Sequence, residues 1–254
     1  MHYQNPTTNL SNLASRPDAR QLDFSGSWDI DSLKQIILEE GLRSSIQRGK
    51  FVFRQGEVVD KIYLIQSGCV AFTRHCAEGH RQVLDFFYRE SVFSDLTEDS
   101  RPTTFSAQCL LDTQAYALSK ASLRRIATIT PEIFQTLNSL MLRLLSQAYD
   151  SLYNIGCRHG VERVAFTLCK IFDGFNAGID VDSARFDCNI PIRQIDIADA
   201  IGVTPVYLNQ ILKSLKEDGV IDINKGTINI NINNIKILKD ICNYEEFSSI
   251  KRFI

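Results

Sequence analysis

The chain has 254 residues, 44% of them apolar and 23% charged, and its 28 basic and 30 acidic side chains leave a formal charge of −2. That length allows a real core in one large or two modest domains, and that composition excludes a disordered or fibrous chain. A near-neutral balance excludes a charge-saturated nucleic-acid coat, but not a duplex reader with one locally suitable face.

No apolar run is long enough to span a bilayer, and no basic cluster followed by an apolar block opens the chain, so neither a membrane partner nor a secretory signal is expected. The seven cysteines (Cys69, Cys76, Cys109, Cys157, Cys169, Cys188 and Cys242) are odd in number, and no two stand at Cys-x-x-Cys spacing. Scattered in this way they read as small hydrophobes of a reducing cytoplasm, with no metal expected.

Residues 1–26, rich in Asn, Ser, Thr and Pro, read as a flexible leader. Asp29 to Glu40 forms a short amphipathic helix, with Leu33, Ile36 and Ile37 on one face and Ser32 and Gln35 at capping-box spacing. From Lys50 the period falls to two. Phe51–Phe53, Ile62–Ile65, Val70–Phe72, Val83–Phe87 and Ala115–Leu118 are short strand candidates, punctuated by Gly56, Gly68 and Gly79. Many short strands with no helix between them predict an antiparallel roll over 27–129.

Lys120 to Ala127 reads as a brief helix. Thr130-Pro131-Glu132 then supplies an N-cap, a first-turn proline and an acid near the positive dipole end, opening a helix to about Ile155. Leu137, Met141, Leu144, Ala148 and Ile155 recur at steps of four and three with Ser151 as a polar interruption, the pattern of a coiled-coil seam. Two readings fit. The stripe lies on the chain's own roll, or it meets a second copy while Leu140 and Leu145 pack on the roll. A dimerisation helix over 130–157 is the sharper one.

A further helix begins at Gly160, with Val161, Val164, Ala165 and Leu168 on one face, and Gly174 to Asp187 reads as a loop. The segment after Ile190 carries the function. Ile195 to Ile201 forms a helix, Gly202 turns, and Thr204-Pro205 starts a second helix with an N-cap and a first-turn proline. After Asp218-Gly219 the pattern alternates through Val220–Ile223, turns at Asn224-Lys225-Gly226 and alternates again through Ile228 and Ile230. Helix, turn, helix and hairpin make a winged helix-turn-helix over 158–254, and the whole is an α+β chain.

At about 100° per residue, Leu208, Ile211, Leu212 and Leu215 share the core face of the second helix, and Val206, Asn209, Gln210 and Lys213 share the opposite one. Asn and Gln suit bidentate contact with adenine, Val206 and Pro205 offer apolar contact, and Lys213 suits phosphate. Arg193, Thr204, Pro205, Val206, Asn209, Gln210 and Lys213 are therefore the DNA-facing candidates. Between Ile190 and Asp240 six basic residues meet six acidic ones, so little affinity is expected from counterion release and tight binding should need a dimer.

The order of elements, with Phe53-Arg-Gln-Gly-Glu, Ile62-Tyr-Leu-Ile-Gln-Ser-Gly, Gly79-His-Arg-Gln-Val-Leu-Asp-Phe and Ala198-Asp-Ala-Ile-Gly-Val-Thr-Pro-Val-Tyr-Leu-Asn-Gln, resembles the Crp/Fnr superfamily of bacterial transcription regulators over roughly Asp29 to Phe253. It looks most like the alphaproteobacterial branch whose recognition helix begins Thr-Pro-Val. The resemblance implies a cyclic-nucleotide-binding-like roll, a homodimer through Leu137, Met141, Leu144, Ala148 and Ile155, a two-fold symmetric double-stranded DNA site, and RNA polymerase as a partner.

Members that bind cyclic AMP carry Gly-Glu and then Arg-Ser/Thr. Here Ser94-Asp95 and Arg101-Pro102-Thr103-Thr104 stand instead, so Asp95, Arg101 and Thr103 are the effector candidates and the departures weigh against a cyclic nucleotide. No other cofactor is evident. An oxygen-sensing cysteine cluster is absent before Cys69, and His75 and His80 lack the setting of haem ligands. Where the branch pattern has Arg, Gln210 stands, which predicts an A·T pair in place of G·C in the half-site. No nucleotide-binding, zincin or nucleophile-elbow motif occurs, so an enzyme is not expected. The alternative to a DNA-binding regulator is an effector-binding sensory module acting through protein contacts, which the near-neutral DNA-binding segment motivates.

Overall fold

The computed structural model describes residues 30–95, 101–177, 187–224 and 227–244. The helix α1 (Ile30–Glu40) buries Leu33, Ile36 and Ile37 as the pattern predicts; Gln35 donates to Glu39 Oε1 at 3.1 Å. Eight strands follow: β1 (Leu42–Ile46), β2 (Phe51–Phe53), β3 (Lys61–Ser67), β4 (Val70–His75), β5 (Arg81–Phe87), β6 (Val92–Phe93), β7 (Ser106–Cys109) and β8 (Thr113–Ser119). They form two four-stranded antiparallel sheets, in the orders β1-β8-β3-β6 and β2-β7-β4-β5.

Three apolar regions hold this arrangement. Between the sheets, Phe53, Tyr63, Phe72, Phe87, Phe93 and Phe105 pack with neighbouring ring centroids 4.3–6.5 Å apart, alongside Ile65, Val70 and Cys109. On the outside of the first sheet, Ile62, Leu64 and Leu118 meet α1, the helix α2 (Lys120–Ile129) and the start of the helix α3 (Ile133–Cys157). Because β3 is covered on both faces, Ile62-Tyr63-Leu64-Ile65 is an unbroken apolar run. The third region joins the outside of the second sheet to the C-terminal half. Cys69, Ala71, Val83, Phe86 and Tyr88 share one core with Val164, Leu168, Ile197 and Ile201.

The 25-residue helix α3 starts later than predicted. Thr130 closes α2, its N–H bonded to Ile126 O at 2.9 Å, and the N-cap of α3 is Glu132, without a side-chain cap bond. Leu140 is buried against the chain's own core, and Leu137 and Leu144 are half-buried against it. Leu145, expected to pack on the roll, is exposed, together with Phe134, Met141, Leu142, Tyr149 and Leu152. These six fall within one stripe of the helix at steps of seven, one, three, four and three, on the side away from Leu140.

The C-terminal half begins with α4 (Gly160–Phe175), capped by His159 and Glu162 in reciprocal hydrogen bonds. It buries eight residues spread round most of its circumference, more than the single face expected, while Val161 stays exposed. The strand β9 (Asp187–Ile190) lies where the sequence reads the end of a loop; 178–186 lie outside the described residues. Then come α5 (Gln194–Ile201), α6 (Pro205–Glu217), β10 (Asp222–Asn224), β11 (Thr227–Asn231) and α7 (Ile232–Cys242), with a sheet in the order β10-β11-β9. Val220 and Ile221, read as wing strand, are instead buried core residues before β10. The turn centre Lys225-Gly226 lies outside the described residues. The final helix α7 packs on α4 through Ile235, Leu238 and Cys242.

Candidate nucleic-acid interface

Local chemistry sets the helix pair. Gly202 ends α5 in the left-handed region (φ 68°), and the Val203 N–H returns to Ala198 O at 3.1 Å, turning the chain sharply. Thr204 then caps α6, its hydroxyl accepting from the Tyr207 N–H at 3.2 Å, and Pro205 occupies the first turn. At the far end Gly219 (φ 70°) and the Val220 N–H bonded to Leu215 O at 2.9 Å close α6 in a Schellman turn.

Within α6, Leu208, Ile211, Leu212 and Leu215 are buried. Val206, Asn209, Gln210 and Lys213 are exposed on the other side, and Thr204 and Pro205 are exposed at its N-terminal tip. The structure thus brings six of the seven DNA-facing candidates onto one outward surface. Lys213 lies 3.7 Å from Glu217, a solvent-exposed pair that leaves its ammonium available to phosphate. Tyr207, absent from the candidate set, is half-exposed at the same tip, its hydroxyl pressed against Gly160 so that a Cβ there would sit 2.3 Å away.

The seventh candidate is differently placed. Arg193 caps α5 and forks onto Asp196, Nε to Oδ2 at 2.9 Å and Nη2 to Oδ1 at 3.1 Å. Asp196 is 1% exposed and also receives Nη2 of Arg81, from β5 of the roll. Nε of Arg81 donates to Asp199 Oδ2 at 2.7 Å and Nη1 to Gln108 Oε1 at 3.0 Å. Burial opposes ionisation of Asp196, but the hydrogen bonds from Arg193 and Arg81 prevail and hold its carboxyl below the usual range. The Arg81 contact was invisible in sequence, because 115 residues separate the partners.

The effector candidates lie on the connection between β6 and β7. Asp95 is buried at the end of β6, its carbonyl accepting from Lys120 Nζ at 2.7 Å. Thr103 is buried and exchanges backbone bonds of 2.8 Å with the turn at Gly56 and Glu57, while Arg101 is exposed. Residues 96–100 lie outside the described residues. Between the sheets the six rings of the aromatic core pack against one another. His75 and His80 are exposed on the β4–β5 hairpin.

Comparison with known proteins places these observations. Residues 43–129 match the cyclic nucleotide-binding domain family and residues 162–241 the Crp-like helix-turn-helix domain family. The nitrogen fixation regulation protein FixK of Rhizobium meliloti (strain 1021) is 25% identical over 202 residues, 80% of this chain and 88% of that protein. The CRP-like cAMP-activated global transcriptional regulator of Mycobacterium tuberculosis (strain ATCC 25618 / H37Rv) is 25% identical over 173 residues, 68% of this chain and 76% of that protein. Among solved structures, FixK2 from Bradyrhizobium japonicum shares the fold with a TM-score of 0.69 and 20% identity, over 81% of this chain and 99% of that one.

Proposed function

Because this chain belongs to the Crp/Fnr family of transcription regulators, we propose that it reads a two-fold symmetric duplex as a homodimer, with Thr204, Pro205, Val206, Asn209, Gln210 and Lys213 entering the major groove and Arg193 beside the backbone. One observation carries this reading. A helix with a complete buried face on one side keeps Val206, Asn209, Gln210 and Lys213 exposed on the other, with its capped N-terminus outermost. The alternative of a module acting through protein contacts is the weaker reading, since the matched relatives are regulators with the same kind of DNA-binding domain.

The second copy belongs on α3, where Phe134, Met141, Leu142, Leu145, Tyr149 and Leu152 are exposed in the single chain. That stripe shares Met141 with the seam read from sequence, and Ala148 and Ile155 lie exposed at its margin. Leu137 and Leu144 sit toward the roll. Association there sets two copies of α6 apart by a fixed distance, which suits half-sites about one helical turn apart or a small multiple of it.

The relatives regulate transcription and are not enzymes, and this chain is read in the same way, with RNA polymerase as the protein partner and the cytoplasm as its place of action. No helix among the described residues is long and apolar enough to cross a membrane. Selection of duplexes from a random pool tests the proposal. Two inverted half-sites should emerge, with an A·T pair opposite Gln210, and Gln210→Arg should move that position toward G·C. Failure to enrich any duplex overturns it.

A further inference from the structure

The C-terminal segment from Ile190 to Asp240 carries six basic and six acidic side chains, a poor balance for a surface that must approach phosphates. Two of those acids, Asp196 and Asp199, lie on α5, the helix that in this motif crosses the DNA backbone. Both are met by one guanidinium from the other half of the molecule. We propose that Arg81 is a positioning residue for DNA reading: it neutralises Asp196 and Asp199 and fixes the α5–α6 pair on the roll, so the N-terminal domain supplies in cis the charge that the reading head lacks.

The geometry is that of a clasp. Arg81 uses all three nitrogens, on Asp199, Asp196 and Gln108, so it ties two points on α5 to a third on β7. Its neighbour Gln82 donates to Ala200 O at 3.2 Å, holding the C-terminal end of the same helix. Lys170 of α4 pairs with Asp85 of β5 at 2.8 Å, so a second pair of opposite charge crosses the same junction. A lysine at position 81 has the charge but not the planar fork that reaches three acceptors.

The closed clasp leaves α6 uncovered: Val206 is 69% exposed with Arg81 in place. The clasped arrangement is therefore one that can read DNA, not one that blocks it. Without Arg81, Asp196 keeps the Arg193 fork while Asp199 loses the pairing that Arg81 gives it.

This inference rests on the reading of the chain as a DNA-binding regulator, and the test separates the two. Full-length protein is titrated onto a duplex that the wild type itself selects from a random pool, at a temperature where circular dichroism shows every variant folded. Arg81→Gln should weaken binding about tenfold, Arg81→Lys should recover only part, and Asp199→Asn added to Arg81→Gln should regain about threefold. A purely structural Arg81 lowers the melting temperature and leaves the affinity of folded protein unchanged. Wild-type affinity or better in Arg81→Gln, or no recovery in the double variant, overturns the clasp. A wild type that selects no duplex removes the functional reading instead.

Discussion

Asp196 is a buried carboxylate whose hydrogen bonds come from two arginines, one local and one from the roll. Asp196→Asn keeps the shape but takes the counter-charge from Arg193 and leaves Arg81 with Asp199 alone, and it should cost about 3 kcal/mol, read as a fall in melting temperature. The sign of its pH dependence follows from the depressed carboxyl: its stabilisation is complete above the ordinary aspartate value of about 4 and drains away as pH falls through the lower folded value. The melting-temperature gap between wild type and Asp196→Asn should therefore be full at neutral pH and close in acid. A gap that widens in acid contradicts the assignment. Residues whose role follows from neighbours in sequence, such as Thr204 as cap and Leu208, Ile211, Leu212 and Leu215 as core face, were legible from the chain alone. Arg81 was not, because nothing local distinguishes it from any other strand arginine.

At the scale of elements, α3 shows where periodicity informs and where it misleads. Apolar residues cover both the roll-facing and the solvent-facing sides of this helix, so its sequence fits more than one stripe. Only packing separates Leu144, half-buried against the roll, from Leu145, which is exposed. Leu145→Asp should yield monomers in sedimentation velocity with the melting temperature nearly unchanged, and operator binding should fall with the dimer. Leu144→Asp should instead lower the melting temperature. A Leu145→Asp protein that sediments as a dimer shows the contact to lie elsewhere. Strands β2, β3, β4, β5 and β8 were legible because alternation or dense apolar runs mark them. Leu42-Arg-Ser-Ser-Ile, Ser106-Ala-Gln-Cys and the two-residue Val92–Phe93 were not, since sheet neighbours and not composition make them strands. The helix α7 carries a findable signal in Ile235, Leu238 and Cys242 at steps of three and four, which the sequence reading passed over.

For the whole molecule, the two halves are distinct in sequence yet joined in packing. The order of roll, long helix and winged head was readable from the change of period along the chain. Their mutual docking was not, since it depends on residues such as Ala71, Val83 and Phe86 that read equally well as interior to the roll. With six rings between the sheets, cyclic AMP added to the wild-type protein should leave operator affinity unchanged within about twofold, because a ligand without preference for one state shifts no equilibrium. Tightening by an order of magnitude, measured by fluorescence anisotropy, refutes that.

The continuous apolar region between roll and head also limits how this molecule can move. A head swinging clear of the roll must wet the surfaces around Ala71, Phe86 and Ile197, and at about 25 cal/mol per Å², each 200 Å² uncovered costs roughly 5 kcal/mol. By Boltzmann weighting that leaves on the order of one molecule in several thousand swung open at equilibrium. In the dimer proposed above, a change of pitch between the two recognition tips should therefore come from sliding over a joint that stays dry.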